Sequence, residues 1–141
     1  MLLLLALASA ALGAGVPEGW RMKDRFAGFR FECRGRFDRE EWAVQVREYA
    51  DELSAFGWVQ LSPAGTVVGE FRGTKQVGPW MRDFLDTGPD DTAGEYSCDI
   101  KTYADTKIRF HFSHFKVLDA RRHTCFPEPP HACRDGRAEE A

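Results

Sequence analysis

"FGWVQLSPAGTVVGEFRG", residues 56–73, decides the fold. Two runs of β-forming residues, "FGWVQL" (56–61) and "GTVVGEFRG" (65–73), flank "SPAG", whose Pro and Gly favour a tight turn. A hairpin alone is marginal in water, so its apolar face needs cover from elsewhere in the chain. Upstream, "GFRFECRGRF" (28–37) alternates, with Phe29, Phe31 and Cys33 on one face and Arg30, Glu32 and Arg34 on the other. That is the pattern of a half-buried strand. Between the strand and the hairpin, Trp42, Val46, Tyr49, Ala50 and Leu53 recur at helical spacing and predict a helix from Arg39 to Ala55. Downstream, Val77, Trp80, Met81, Phe84 and Leu85 outline a second helix that stops at Gly88-Pro89. Two more alternating stretches follow, "EYSCDIKTY" (95–103) with Tyr96, Cys98 and Ile100 on one face, and "KIRFHFSHFKVL" (107–118) with Ile108, Phe110 and Phe112. The order predicts an α+β, ferredoxin-like βαββαβ sandwich, an antiparallel sheet with two helices on one face and one extra strand near the end.

The chain has 141 residues, 43% hydrophobic and 29% charged, which suits one globular domain. A net charge of −3 argues against nucleic acid as a partner. The opening "MLLLLALASAALGAG" (1–15) is uncharged and apolar, too short for a bilayer span of about 20 residues. It reads as a signal peptide with small-residue cleavage pairs, although its n-region lacks Lys or Arg; a buried N-terminal helix is the alternative. Four cysteines, Cys33, Cys98, Cys125 and Cys133, make two disulfides the default in a secreted chain. From residue 120 the tail "ARRHTCFPEPPHACRDGRAEEA" is rich in proline and charge, and is expected to be irregular and outside the core. The domain itself is placed at 28–119.

The pair "GWV-Q-L" and "GTVVG", with "FLDTGP" and "FSHFKVLD" further on, resembles the acylphosphatase family over residues 28–119. The resemblance implies a ferredoxin-like fold, no cofactor, and hydrolysis of a carboxyl-phosphate anhydride. In that family a G-R-V-Q-G-V-x-F-R loop after the first strand holds the phosphate on backbone N–H groups. The arginine that ends this motif binds phosphate, and the asparagine of G-W-V-x-N orients the attacking water. Counted back from Gly57 without gaps, the loop falls on "GRFDREEWA". Gly35 and Arg36 match, the loop glycine is Arg39, the arginine position holds Ala43, and the asparagine position holds Leu61. A one- or two-residue shift would bring Arg39 or Arg36 toward the phosphate, but neither restores the asparagine.

These exchanges remove the cation that phosphoryl transfer relies on and the group that would hold the water. Asp38, Glu40 and Glu41 would also repel a dianion. At a helix start the same residues have a structural use, with Asp38 as N-cap and Glu41 closing a capping box. The expectation is a secreted, catalytically inactive relative that acts as a binding or structural module, with an unidentified protein or acidic ligand as partner, and monomeric. An active acylphosphatase with a rearranged loop is the alternative.

Three other constellations bear on function. His123, Cys125, His131 and Cys133 offer metal-type donors, but the His-x-Cys spacing and an oxidising compartment favour a Cys125–Cys133 bridge over zinc. The remaining pair, Cys33 and Cys98, would lie on neighbouring first and fourth strands of a ferredoxin-like sheet. Arg30, Arg34 and Arg36, with Lys101 and Arg109, either form a basic patch for an acidic ligand or belong to a mixed, solvated sheet face that Glu32 and Glu70 interrupt. His111 and His114 sit in a strand pattern without a nucleophile motif.

Overall fold

The computed structural model describes residues 25–90, 92, 94–103, 108–110 and 112–133. The expected signal peptide, His111 and the last eight residues fall outside them. The elements run β1 (Phe26–Gly35), α1 (Arg39–Glu52), β2 (Phe56–Leu61), β3 (Val67–Thr74), α2 (Gly78–Thr87), β4 (Tyr96–Thr102) and β5 (Phe115–Val117). The sheet order is β4-β1-β3-β2-β5. β1 is antiparallel to β3 and β4, and β2 is antiparallel to β3. Gly57 of β2 cannot carry a Cβ, which would run into the Glu70 carbonyl across the hairpin, and its φ of +138° suits glycine alone.

Both helices lie against one face of this sheet. α1 buries Trp42, Ala43, Val46 and Ala50, and α2 buries Met81 and Leu85. Beneath them sit the outward-alternating residues of the strands, Phe29, Phe31, Cys33, Val59, Val67 and Phe71. Phe29 stacks on Phe71 at 4.9 Å, and Trp42 on Phe84 at 5.0 Å. Burying side chains of this size supplies roughly 1.5–3 kcal/mol each.

Two expectations need correction. The sheet is mixed, because β5 runs parallel to β2, with Gly57 opposite Phe115. β4 and β5 occupy opposite edges of the sheet, so the chain must cross a face to join them. Residues 108–110 and 112 lie on that crossing, with Phe110 and Phe112 near Trp58, and form no strand; only Phe115–Val117 pairs. The second correction concerns the tail. Its described part, 120–133, is irregular as expected, but it lies on the sheet face away from the helices. There Phe126 joins Trp58 and Val68 in a second core, with Phe110, Phe112 and Leu118 at its margin. No helix of the described residues is long and apolar enough to cross a membrane.

Candidate functional site

The β1–α1 junction is built from its glycine outward. At Gly35 φ is +150°, and a Cβ would collide with the Glu95 carbonyl as β4 passes. The chain turns through exposed Arg36, and Phe37 anchors it against Tyr96 at 5.6 Å. Asp38, in extended conformation, is the N-cap of α1, and its Oδ1 accepts the Glu41 N–H at 3.1 Å. The Trp42 N–H donates to the Asp38 carbonyl at 2.9 Å. The helix therefore starts at Arg39, and Asp38 takes up the N–H groups of Glu41 and Trp42. Glu40 and Glu41 place two carboxylates in the first turn, which suits the helix dipole. Arg39 is exposed, and its Nη1 stands 3.7 Å from where a Cβ on Gly65 would be, at the β2–β3 turn.

The second sheet face is a buried polar layer that the alternation pattern registered only as solvated. Arg30 is 8% exposed, Glu32 9% and Glu70 0%. Nη2 of Arg30 donates to the carbonyls of Glu128 and Pro129, both at 3.0 Å, and its guanidinium lies 4.3 Å from the Phe126 ring. Glu32 accepts the His131 N–H at 2.8 Å and the Thr66 hydroxyl at 2.7 Å. Arg34 pairs with Asp99 at 2.6 Å and Glu32 at 3.0 Å, Lys101 pairs with Glu128 at 2.9 Å, and the Arg109 guanidinium donates to the Cys125 carbonyl. Of the basic patch considered for an acidic ligand, Arg30, Lys101 and Arg109 are thus committed to the tail and Arg34 to carboxylates of β1 and β4, while Arg36 stays exposed. A glutamate inside the apolar run "VVGEFRG" was the one sequence signal of this layer.

The cysteines stand in two pairs. Cys33 and Cys98 are direct partners in the β1–β4 register and are disulfide-bonded. Cys125 and Cys133 are bonded to each other within the tail. The His131 ring lies within 4.8 Å of both of these sulfurs, but sulfurs bonded to each other offer no thiolate, so the set does not fit zinc. His114 is exposed beside Ser113, with no acid–base partner set around it among the described residues.

No protein-family model matches the chain, and no curated protein matches it. Solved structures do. An acylphosphatase from Coxiella burnetii aligns at 20% identity and TM-score 0.56, over 67% of this chain and 94% of that one. An acylphosphatase from Bacillus subtilis aligns at 17% identity and TM-score 0.52, over 65% and 98%. The chain has an acylphosphatase-like fold. Full-length HypF, solved in a phosphate- and nucleotide-bound form, contains a similar region, at 12% identity and TM-score 0.54, over 66% of this chain and 12% of that one. Within this acylphosphatase-like fold, Ala43 is 2% exposed and belongs to the core under α1, and Leu61 packs against the same core. An arginine at position 43 would have to bury its guanidinium among apolar side chains.

Proposed function

We propose that the protein is a secreted, acylphosphatase-like module without acylphosphatase activity, serving in binding or structure. The observation that carries this reading is the Asp38 carboxylate on the Glu41 N–H, which puts a resident anion at the helix start. A phosphate dianion there would meet Asp38, Glu40 and Glu41, with no cation from position 43 and no water-orienting group from position 61. The apolar leader at 1–15 and the two cysteine pairs support the extracellular compartment.

Benzoyl phosphate tests the reading directly. The purified protein is expected to hydrolyse it no faster than a protein-free blank. Turnover above about 1 s⁻¹, within the ordinary enzyme range, would overturn the proposal. The alternative, an active enzyme with a rearranged loop, draws support from the Arg39 guanidinium beside the β2–β3 turn. On that reading Arg39→Ala abolishes whatever hydrolysis is measured.

A further inference from the structure

A cavity of about 450 Å³ opens between the C-terminal segment and the end of β2. Its volume falls within the usual range of small-ligand sites, about 300–1,000 Å³. It shares no residue with the β1–α1 junction, because its walls come from Gln60 and Pro63 on one side and the tail on the other.

The polar groups of the wall divide into two sets. One set is spent on the frame. The Gln60 amide donates to the carbonyls of Asp119 and Arg122 at 2.7 and 2.8 Å and accepts the Thr124 hydroxyl at 2.6 Å, and Thr124 in turn meets His131 Nε2 at 3.0 Å. The other set is uncommitted. Both ring nitrogens of His123 are buried without a hydrogen-bond partner among the described residues. With no accessible surface these nitrogens do not face the cavity, and His123 lines it through its other atoms. Arg121 and Arg122 also line the cavity, and neither forms an ion pair among the described residues. The Arg122 guanidinium lies over the Phe110 and Phe112 rings, at 5.2 and 5.5 Å. No lining residue is acidic. The nearest carboxylate in sequence, Asp119, accepts the Arg121 backbone N–H at 2.8 Å and lies outside the wall. Pro63 and the half-disulfide at Cys125 supply apolar surface.

We propose that this cavity binds a small organic monoanion, its carboxylate set toward Arg121 and Arg122 and its apolar body against Pro63 and the Cys125 half of the Cys125–Cys133 bridge. Unpaired cations in a concave, partly desolvated wall select charge, and apolar neighbours select a carbon skeleton over an inorganic ion. The proposal rests on the reading of the chain as a binding module and names the class of ligand.

Benzoate is the probe and benzyl alcohol its neutral control, both titrated calorimetrically into the full disulfide-bonded chain. Saturable benzoate binding at least tenfold tighter than benzyl alcohol is expected, weakening as salt is raised. Arg121→Ala, an exposed position, should weaken benzoate about fivefold with the melting temperature unchanged. Adding Arg122→Ala should bring the loss to tenfold or more. Absence of saturable binding, equal binding of benzyl alcohol, or undiminished binding by Arg121→Ala would each overturn the site. Benzoyl phosphate hydrolysis in the same preparations separates the two readings. Turnover would overturn the inactive module whatever benzoate does, and a failure of benzoate binding would overturn the cavity whatever the hydrolysis assay gives.

Discussion

Glu70 ties the second core to the crossing segment through four hydrogen bonds. Its carboxylate is fully buried on β3. Oε1 accepts the Trp58 indole N–H at 2.7 Å and the Phe110 N–H at 3.0 Å, and Oε2 accepts the Arg109 N–H at 2.6 Å and the Tyr103 hydroxyl. Burial pushes its pKa above the ordinary carboxylate value, while the donors at Arg109, Trp58 and Phe110 pull the other way. Because the folded pKa is the higher one, the stability this group contributes is fully present below the unfolded carboxylate pKa, about 4.3, and declines as pH rises through the folded value. Glu70→Gln isolates the effect. An amide has one accepting oxygen, so its NH2 must face either the Trp58 and Phe110 N–H pair or the Arg109 N–H and Tyr103 hydroxyl. The hydroxyl can reverse its role; the backbone N–H of Arg109 cannot, and it is left unsatisfied. The expected loss is about 1–3 kcal/mol in chemical denaturation at pH 5. The difference from wild type should shrink toward pH 8, since only wild type loses the stability that rises and falls with this carboxyl. An unchanged midpoint at pH 5 would mean that the crossing segment is not held by Glu70.

At the scale of the elements, α1 tests how a helix start replaces a ligand. Asp38→Ala removes the acceptor for the Glu41 N–H and should lower stability by about 1 kcal/mol, read as the shift in denaturation midpoint. A raised midpoint would show that carboxylate repulsion around Glu40 and Glu41 outweighs the cap. This helix start was legible in "FDREEW" because capping is local chemistry, decided by residues three apart. The hairpin was legible for the same reason, and β2 runs from Phe56 to Leu61, the bounds its residues suggested. The stretch 107–118 misled because alternation reports one-sided burial, not ladder pairing. Phe110 and Phe112 face the second core from a crossing segment, and Trp58 meets Phe110 edge-on at 5.8 Å. The tail's irregularity and its disulfide were legible, but its place against the sheet was not. It docks through backbone carbonyls and N–H groups onto Arg30 and Glu32, contacts that leave no hydrophobic period in the sequence. The candidate cavity was hidden too, since its wall joins Gln60 to residues about sixty positions later.

On the scale of the whole molecule, one sheet separates two cores, and each side has its own disulfide. Cys33–Cys98 ties edge strand β4 to β1 under the helices, and the pairing followed from the strand order once the ferredoxin-like sheet was recognised. Cys125–Cys133 shapes the segment that covers the other face. The two span 65 and 8 residues. Loop-closure entropy then assigns them roughly 4 and 2.5 kcal/mol of stabilisation. The global ranking should follow those spans, with Cys33→Ala/Cys98→Ala lowering the denaturation midpoint more than Cys125→Ser/Cys133→Ser. Local effects should rank in the opposite order on the second face. Opening the short bridge frees the ends of the stretch that holds Arg30 and Glu32, so amide exchange across 120–133 should accelerate, and the Trp58 indole N–H should lose protection. The long-bridge variant should leave those protections in place at temperatures where it remains folded, because the β1–β4 ladder persists without its sulfurs. Equal protection of 120–133 in both variants would mean that the polar latches alone hold the cover and that the short disulfide is dispensable to it.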